Sequence, residues 1–341
     1  MSGVSRRQFL TWGLPAGLGV TGAAVAATGQ DAPSPMPQGM AHPNPVHVPA
    51  GRPVPTDRQA PDALSPMQIL TAFDYGKVTR LSGGEIQREY SITAFDREIE
   101  VAKGVRFPAW TFNGTVPGPT IRCTEGDRLL VHFRNEGAMP HTIHLHGIHP
   151  ANMDGVFEIV PPGGTYDYQL TADPFGLFLY HCHVMPLKKH IHKGLYGTFI
   201  VDPKTPRPPA RELVMVMNGF DTDLDGENEF YTVNGIANYF ADHPIPIEVG
   251  ELVRIYLTNL TEFDLVNSFH LHGNVFRLYR TGTSLAPPEI TDTVMLCQGE
   301  RCILEFRYPY PGRYMFHAHQ SEFAELGWMG MFEVRPRAEN A

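Results

Sequence analysis

The sequence predicts an all-β protein of two β-sandwich domains. Three observations carry this: short alternating apolar and polar runs broken by turn residues, a proline-rich break near residues 202–209, and a second half that repeats the pattern of the first. From Ile69 onward the runs have strand length, as in Thr120-Ile121-Arg122-Cys123, a Gly126-Asp127 turn, and then Leu129 to Phe133. Asp202-Pro203-Lys204-Thr205-Pro206-Arg207-Pro208-Pro209 can form neither helix nor ladder, so it separates a domain over 67–202 from one over 211–336, with 203–210 as linker. Asn113-Gly114, Gly126-Asp127 and Leu129 to Phe133 recur as Asn234-Gly235, Gly250-Glu251 and Leu252 to Leu257, and each series leads into His-Leu-His-Gly. A repeat this long reads as a duplicated domain rather than a solenoid unit.

Ahead of the domains, Ser5-Arg6-Arg7-Gln8-Phe9-Leu10 and a mildly apolar stretch predict a twin-arginine export signal over 1–27, with cleavage near Ala24-Val25-Ala26. Residues 28–66 are proline-rich and predict a tail. No other segment is long and apolar enough to span a bilayer, so the expected location is the periplasm or the exterior. The 341 residues are 42% hydrophobic and 18% charged, enough for real cores, and a net charge of -9 without a basic block excludes a nucleic-acid partner.

Sixteen histidines are many for this length, and ten fall in clusters: His141, His144 and His146; His181, His183 and His190; His270 and His272; His317 and His319. Residues two apart on a strand share a face, so each His-x-His presents two imidazoles to one space. Cys182, between His181 and His183, must then face its own domain's interior. On a regular strand His141, three before His144, faces the same way. One thiolate and two imidazoles, with His190 as the second nitrogen, make the trigonal set of a blue copper site.

At this point the sequence resembles the two-domain, laccase-like members of the multicopper oxidase family. The resemblance covers residues 67–336 and rests on His141-x-x-His144-x-His146-Gly147, on His181-Cys182-His183 with Gly194-Leu195, and on the partial copies downstream. It implies two cupredoxin-like Greek-key sandwiches and about four coppers per subunit. His141, Cys182 and His190 would bind type 1 copper with Leu195 in the axial position. His144 and His270 would bind type 2, while His146, His181, His183, His272, His317 and His319 would hold the type 3 pair. The family's second type 1 histidine stands five residues after the cysteine, where this chain has Leu187; counting back from Gly194-Leu195 selects His190 over His192. In the second half Asn267, Ala318, Phe323 and Trp328 stand at the four type 1 positions, which leaves that half no blue copper of its own. The resemblance also implies dioxygen and a small reducing substrate as partners, with a homotrimer that closes the cluster between subunits. Copper nitrite reductase, a cuprous or manganous oxidase, and a copper-binding electron carrier are the rival functions.

Asp154 and Asp292 resemble family acids that relay protons near the cluster, against a reading as plain turn residues. Glu322 and Glu325 are further acids, read as a solvated loop. Asp221-x-Asp223-x-Asp225-Gly226 imitates a calcium loop, but Thr232 stands where the closing glutamate belongs, so an acidic turn is expected. Cys297 and Cys302 flank a turn that could bring them close enough for a disulfide, and Cys123 reads as a buried free thiol.

Overall fold

The computed structural model describes residues 64–286 and 289–337. The predicted export signal, 1–27, and all of the proline-rich tail except its last residues lie outside them. A one-turn helix, α1 (Pro66–Ile69), starts the described chain, its Ser65 hydroxyl accepting from the Gln68 amide and the Gln68 side chain returning to Ser65 N, a capping box. The strands of the first half follow: β1 (Phe73–Asp74), β2 (Lys77–Arg80), β3 (Ile86–Ala102), β4 (Val105–Phe112), β5 (Thr120–Thr124), β6 (Arg128–Asn135), β7 (His144–Leu145), β8 (Thr165–Thr171) and β9 (Gly176–His181). Helix α2 (Leu187–His192) then leads into β10 (Tyr196–Asp202).

The second half contributes β11 (Arg211–Phe220), β12 (Phe230–Val233), helix α3 (Tyr239–Asp242), β13 (Ile245–Glu248), β14 (Val253–Asn259), β15 (Val266–Leu271), β16 (Phe276–Arg280), β17 (Glu289–Thr291), β18 (Thr293–Cys297), β19 (Arg301–Phe306), β20 (Gly312–His317), helix α4 (Ser321–Glu325) and β21 (Met329–Arg335). Each half packs two sheets face to face. In the first they run β1-β5-β10-β9-β7 and β2-β3-β6-β8, with β4 on β3; in the second, β12-β11-β14-β19-β16-β17 and β13-β21-β20-β15-β18. The all-β expectation is met, and residues 203–210 carry no strand.

Alternation along the strands builds three apolar cores. On β10, Phe199 and Val201 enter the first sandwich, while Tyr196 and Ile200 enter a core shared between the halves with Val214, Val216, Tyr256, Leu260 and Ile303. The second sandwich has its own core around Phe269, Phe316 and Trp328. Arg122 on β5 adds an ion pair across the seam, 2.7 Å to Glu212 on β11, and pairs within its own half with Asp202, also at 2.7 Å. Glu212 also meets Arg254 at 3.0 Å, and Arg254 meets Glu305 at 2.6 Å. All described residues belong to one compact unit. Among them no helix is long and apolar enough to cross a membrane.

The Cys297–Cys302 bridge that the turn would allow is not formed; both are free thiols. The turn between them does not close a hairpin, because β18 pairs with β15 in one sheet and β19 pairs with β14 and β16 in the other. Cys123 is a buried free thiol, as expected.

Candidate metal centres

His141, Cys182 and His190 converge inside the first sandwich. The two Nδ1 atoms are 3.2 Å apart, and Cys182 Sγ is 3.2 Å from His190 Nδ1 and 3.9 Å from His141 Nδ1. All three side chains are buried. His141 arrives by a different route from the one the sequence suggests: β7 is only two residues long, and His141 is held instead by an isolated bridge to Val160. The residues after Cys182 form helix α2, which turns His190 inward. His192, on the same helix, accepts the Asp221 amide through Nε2 at 2.9 Å and packs on Phe107 and Phe263, so it is not part of the group. Cys182 N donates to the Leu195 carbonyl at 3.0 Å, and the Leu195 side chain is fully buried in the same core.

These donors fit copper. Two nitrogens and one sulfur around a common point are the set that copper of the blue type prefers, whereas a structural zinc would draw four strong donors. Burial pushes His141 down to about 3, helped by His190, and His190 down to about 4, helped by Lys189, so both rings stay neutral and able to ligate. Burial also raises the Cys182 thiol against the hydrogen bond it receives from the Thr142 amide at 3.4 Å; metal binding would displace its proton.

Two further histidine groups share one geometry. In the first half, β7 sets His144 opposite His181 on β9; in the second, β15 sets His270 opposite His317 on β20. Ring centroids are 5.0 Å apart for His144 and His146 and 4.9 Å for His270 and His272. The pair His144 and His183 is at 5.4 Å, and His270 and His319 at 5.3 Å. Nε2 atoms approach to 3.2 Å between His146 and His181 and to 2.9 Å between His272 and His317.

The supports are duplicated too. His144 Nδ1 donates to the Asp154 carbonyl at 2.7 Å, and His270 Nδ1 to the Asp292 carbonyl at 3.0 Å. His181 Nδ1 donates to Cys182 O at 2.9 Å, and His317 Nδ1 to Ala318 O at 2.6 Å. A ring that donates from Nδ1 keeps its Nε2 lone pair for a metal. The His183 amide is held by Thr142 Oγ1 at 3.0 Å and the His319 amide by Ser268 Oγ at 2.7 Å. Every group of metal-capable side chains among the described residues draws its histidines from one half only.

The Asp154 carboxylate lies 3.1 Å from His144 Nδ1 and 3.6 Å from His149 Nε2. Gly155 makes this turn possible, since at φ +72° a Cβ there would sit 2.0 Å from the Ile143 carbonyl oxygen. The Asp292 carboxylate bonds Thr293 Oγ1, which in turn reaches His270 Nδ1 at 2.8 Å. Glu322 and Glu325 are exposed on α4. In the second half the would-be type 1 pocket is closed: Trp328 Nε1 donates to Asn267 Oδ1 at 3.0 Å, with Ala318 and Phe323 buried alongside. Asp221, Asp223, Asp225 and Glu229 do gather, yet the Asp221 oxygens are taken up by the amides of Leu224, Asp225 and Gly226, the bonding of a turn.

Sequence reasoning missed four participants. His149 joins the Asp154 contact; Trp110 packs on both His141 (5.2 Å) and His190 (4.8 Å) and opens onto a cavity of about 870 Å³ with Lys188, Lys189, Asp221 and Phe263. Glu262 and Gln298 share a second cavity, of about 620 Å³, with His144, His146, His181 and His183. Burial pushes the Glu262 carboxyl up to about 7, moderated by Lys188 and a hydrogen bond with Gln298. Only His149, close to the His144 motif, left any signal in the sequence.

Known proteins resemble this chain in sequence and fold. Profiles of the multicopper oxidase family match residues 94–206 and 206–338. A crystal structure of a multicopper oxidase superposes with a TM-score of 0.79 and 54% identity, covering 80% of this chain and 97% of that one. A copper nitrite reductase from Nitrosomonas europaea has a TM-score of 0.67 and 27% identity over 73% of this chain and 94% of its own. A copper-containing nitrite reductase of Neisseria gonorrhoeae is 31% identical over 267 residues, 72% of this chain and 67% of that protein. Two cupredoxin-like sandwiches, a buried Cys-His-His group in the first and paired histidine groups in both make this chain a two-domain member of the multicopper oxidase family, a copper-binding oxidoreductase.

Proposed function

We propose that the protein is a laccase-like oxidase coupling one-electron oxidation of a small donor, phenolic or otherwise aromatic, to the four-electron reduction of dioxygen to water. The observation that carries this is the duplicated histidine quartet. A mononuclear catalytic site, as nitrite reduction would use, has no need of His183 or of the His317 and His319 pair, yet both are anchored as carefully as the rest.

In this proposal His141, Cys182 and His190 hold type 1 copper beside Leu195; His144 and His270 hold type 2; and His146, His181, His183, His272, His317 and His319 hold the type 3 pair. Copper bound there would accept electrons singly and make four available to dioxygen. Cys182 is one peptide bond from both His181 and His183, so three consecutive residues link the two ligand groups. Trp110 separates His141 and His190 from the larger cavity, which suits it to receive a flat donor. Asp154 and Asp292 orient His144 and His270 and are candidates for proton relay.

Because each quartet draws on one half alone, the proposal closes the cluster between copies, in a homotrimer of head-to-tail contacts. Exposed apolar side chains flank both quartets as such a contact requires: Ile148, Phe157 and Ile159 near the first, Val275, Ile290 and Met295 near the second. Domain limits of 67–202 and 211–336 and export through Arg6-Arg7 to the periplasm or beyond complete the proposal.

The test is copper content per subunit with visible and electron-spin-resonance spectra, followed by oxygen uptake against nitrite turnover. About four coppers per subunit, a strong blue band, both type 1 and type 2 signals and oxygen uptake are expected. Two coppers with nitrite turnover would replace the oxidase by a nitrite reductase.

A further inference from the structure

The cavity that holds the first-half histidine quartet is walled also by the second half of the same chain, through Leu260, Glu262, Gln298 and Gly299. Glu262 is only 6% exposed. Its backbone carbonyl takes the Asn228 amide at 2.7 Å, and the same amide reaches Asp264 at 3.0 Å, which fixes the turn that points the residue inward. Among the described residues its carboxyl has no ion-pair partner within salt-bridge distance; Gln298 hydrogen-bonds to it, Lys188 on α2 and Tyr196 on β10 feel its charge, and the four imidazoles share its cavity. Asp154, by contrast, is engaged with His144 and His149. A carboxyl buried without a directly paired cation is costly to a fold and is the kind of group found where protons move.

A second feature leads to the same place. The Tyr196 hydroxyl, Thr198 Oγ1, Thr258 Oγ1 and Asn218 Nδ2 are buried without a hydrogen-bond partner. Strand alternation puts all four on one seam: Tyr196 and Thr198 share a face of β10 with Ile200, Asn218 shares one of β11 with Val216 and Phe220, and Thr258 follows Tyr256 on β14. Those faces form the core between the halves, and Leu260, from the same core, lines the Glu262 cavity. Buried polar groups of this kind are satisfied by ordered water.

We infer that Glu262 is the proton-delivering carboxyl of the oxygen-reducing site, recharged along the polar seam between the two halves. The inference rests on the oxidase proposal above. Reducing one dioxygen to two waters takes four electrons, all from the donor, and four protons. For each proton delivered, the Glu262 O–H bond breaks, a new O–H bond forms on the oxygen being reduced, and the carboxylate takes back a proton originating in solvent. Gln298 can hydrogen-bond either form, through its amide nitrogen to the carboxylate or its oxygen to the acid.

The test uses copper-loaded Glu262→Gln and Glu262→Asp beside the wild type. Copper content, the blue band and anaerobic bleaching by donor report the metal sites and need no proton for oxygen. These are expected within about twofold of wild type in Glu262→Gln, while oxygen uptake falls roughly 100-fold, the scale of a lost general acid. Wild-type uptake should decline as pH rises through about 7, where the carboxyl ionises, and this limb should vanish in Glu262→Gln and return, with part of the rate, in Glu262→Asp. Unchanged uptake and pH profile in Glu262→Gln overturn the inference and leave the oxidase intact. Loss of copper or bleaching in both variants assigns Glu262 to structure and overturns it too. A wild type that bleaches with donor yet takes up no oxygen removes the oxidase proposal itself, and this inference with it.

Discussion

Cys182 serves two directions at once: its sulfur joins His141 and His190, while its backbone neighbours carry imidazoles to the other group. Cys182→Ser keeps the size of the side chain but offers a poor soft-metal ligand, so the blue band and type 1 signal should vanish and donor oxidation should fall at least ~100-fold. Copper at the histidine quartet should persist, because its carbonyl anchors are untouched; visible and spin-resonance spectra read both outcomes, and a surviving blue band would refute the assignment. Trp328 makes the complementary case in the second half. There a large indole, fully buried and bonded to Asn267, fills the pocket that a metal would occupy in the first. Trp328→Ala should cost about 3–5 kcal/mol by opening a cavity, read as a lowered denaturant midpoint. Both residues were legible in the sequence, Cys182 from its place between two histidines and Trp328 from its offset to the copied motif. Glu262 and Trp110 were not, since each reaches its site by packing between strands distant in the chain and lies in no motif.

Strand alternation did most of the predictive work at the level of elements, and where it failed the cause is local. The His-x-His pairs project as period two demands, and the registers of β7 with β9 and β15 with β20 coincide. His141 reaches Cys182 although the strand expected to carry it shrinks to two residues, because a bridge to Val160 supplies the same direction. The stretch after Cys182, where the family's spacing breaks down, coils into α2 and separates His190 from His192 by facing them to different neighbours. The turn at Gln298 to Arg301 looked like a hairpin yet passes between sheets, a change of layer that no alternation pattern encodes. Between the halves, Glu212 on β11 bonds Arg122, Arg254 and Tyr256 together. Glu212→Leu leaves two largely buried guanidinium groups each one partner short, for a cost of about 3 kcal/mol. For the roughly 270 residues of the two sandwiches that corresponds to a melting midpoint lower by about 5 °C, and a calorimetric midpoint unchanged within about 1 °C, roughly half a kcal/mol, would show the network to be ornamental.

For the molecule as a whole, the oxidase proposal requires that two quartets belonging to different halves serve one cluster. If copies associate head to tail, each cluster joins the first-half quartet of one copy to the second-half quartet of the next, and the two need never meet within a chain. His146→Ala spoils the first quartet and His272→Ala the second; His272 is exposed and His146 only half-buried, so both variants should fold. Alone, each should be nearly inactive in oxygen uptake while keeping its blue band. Co-expressed in equal amounts, they restore a complete cluster wherever an intact first quartet from the His272→Ala chain abuts an intact second quartet from the His146→Ala chain. Random mixing makes each of those choices half the time, so about a quarter of the contacts, and about a quarter of wild-type oxygen uptake, should return. A cluster closed within one chain could never be rescued this way, because every chain in the mixture carries a spoiled quartet. Recovery near a quarter, with sedimentation of a species three chains in mass, therefore distinguishes a shared cluster from a self-contained one, with any donor that bleaches the blue band as the electron source.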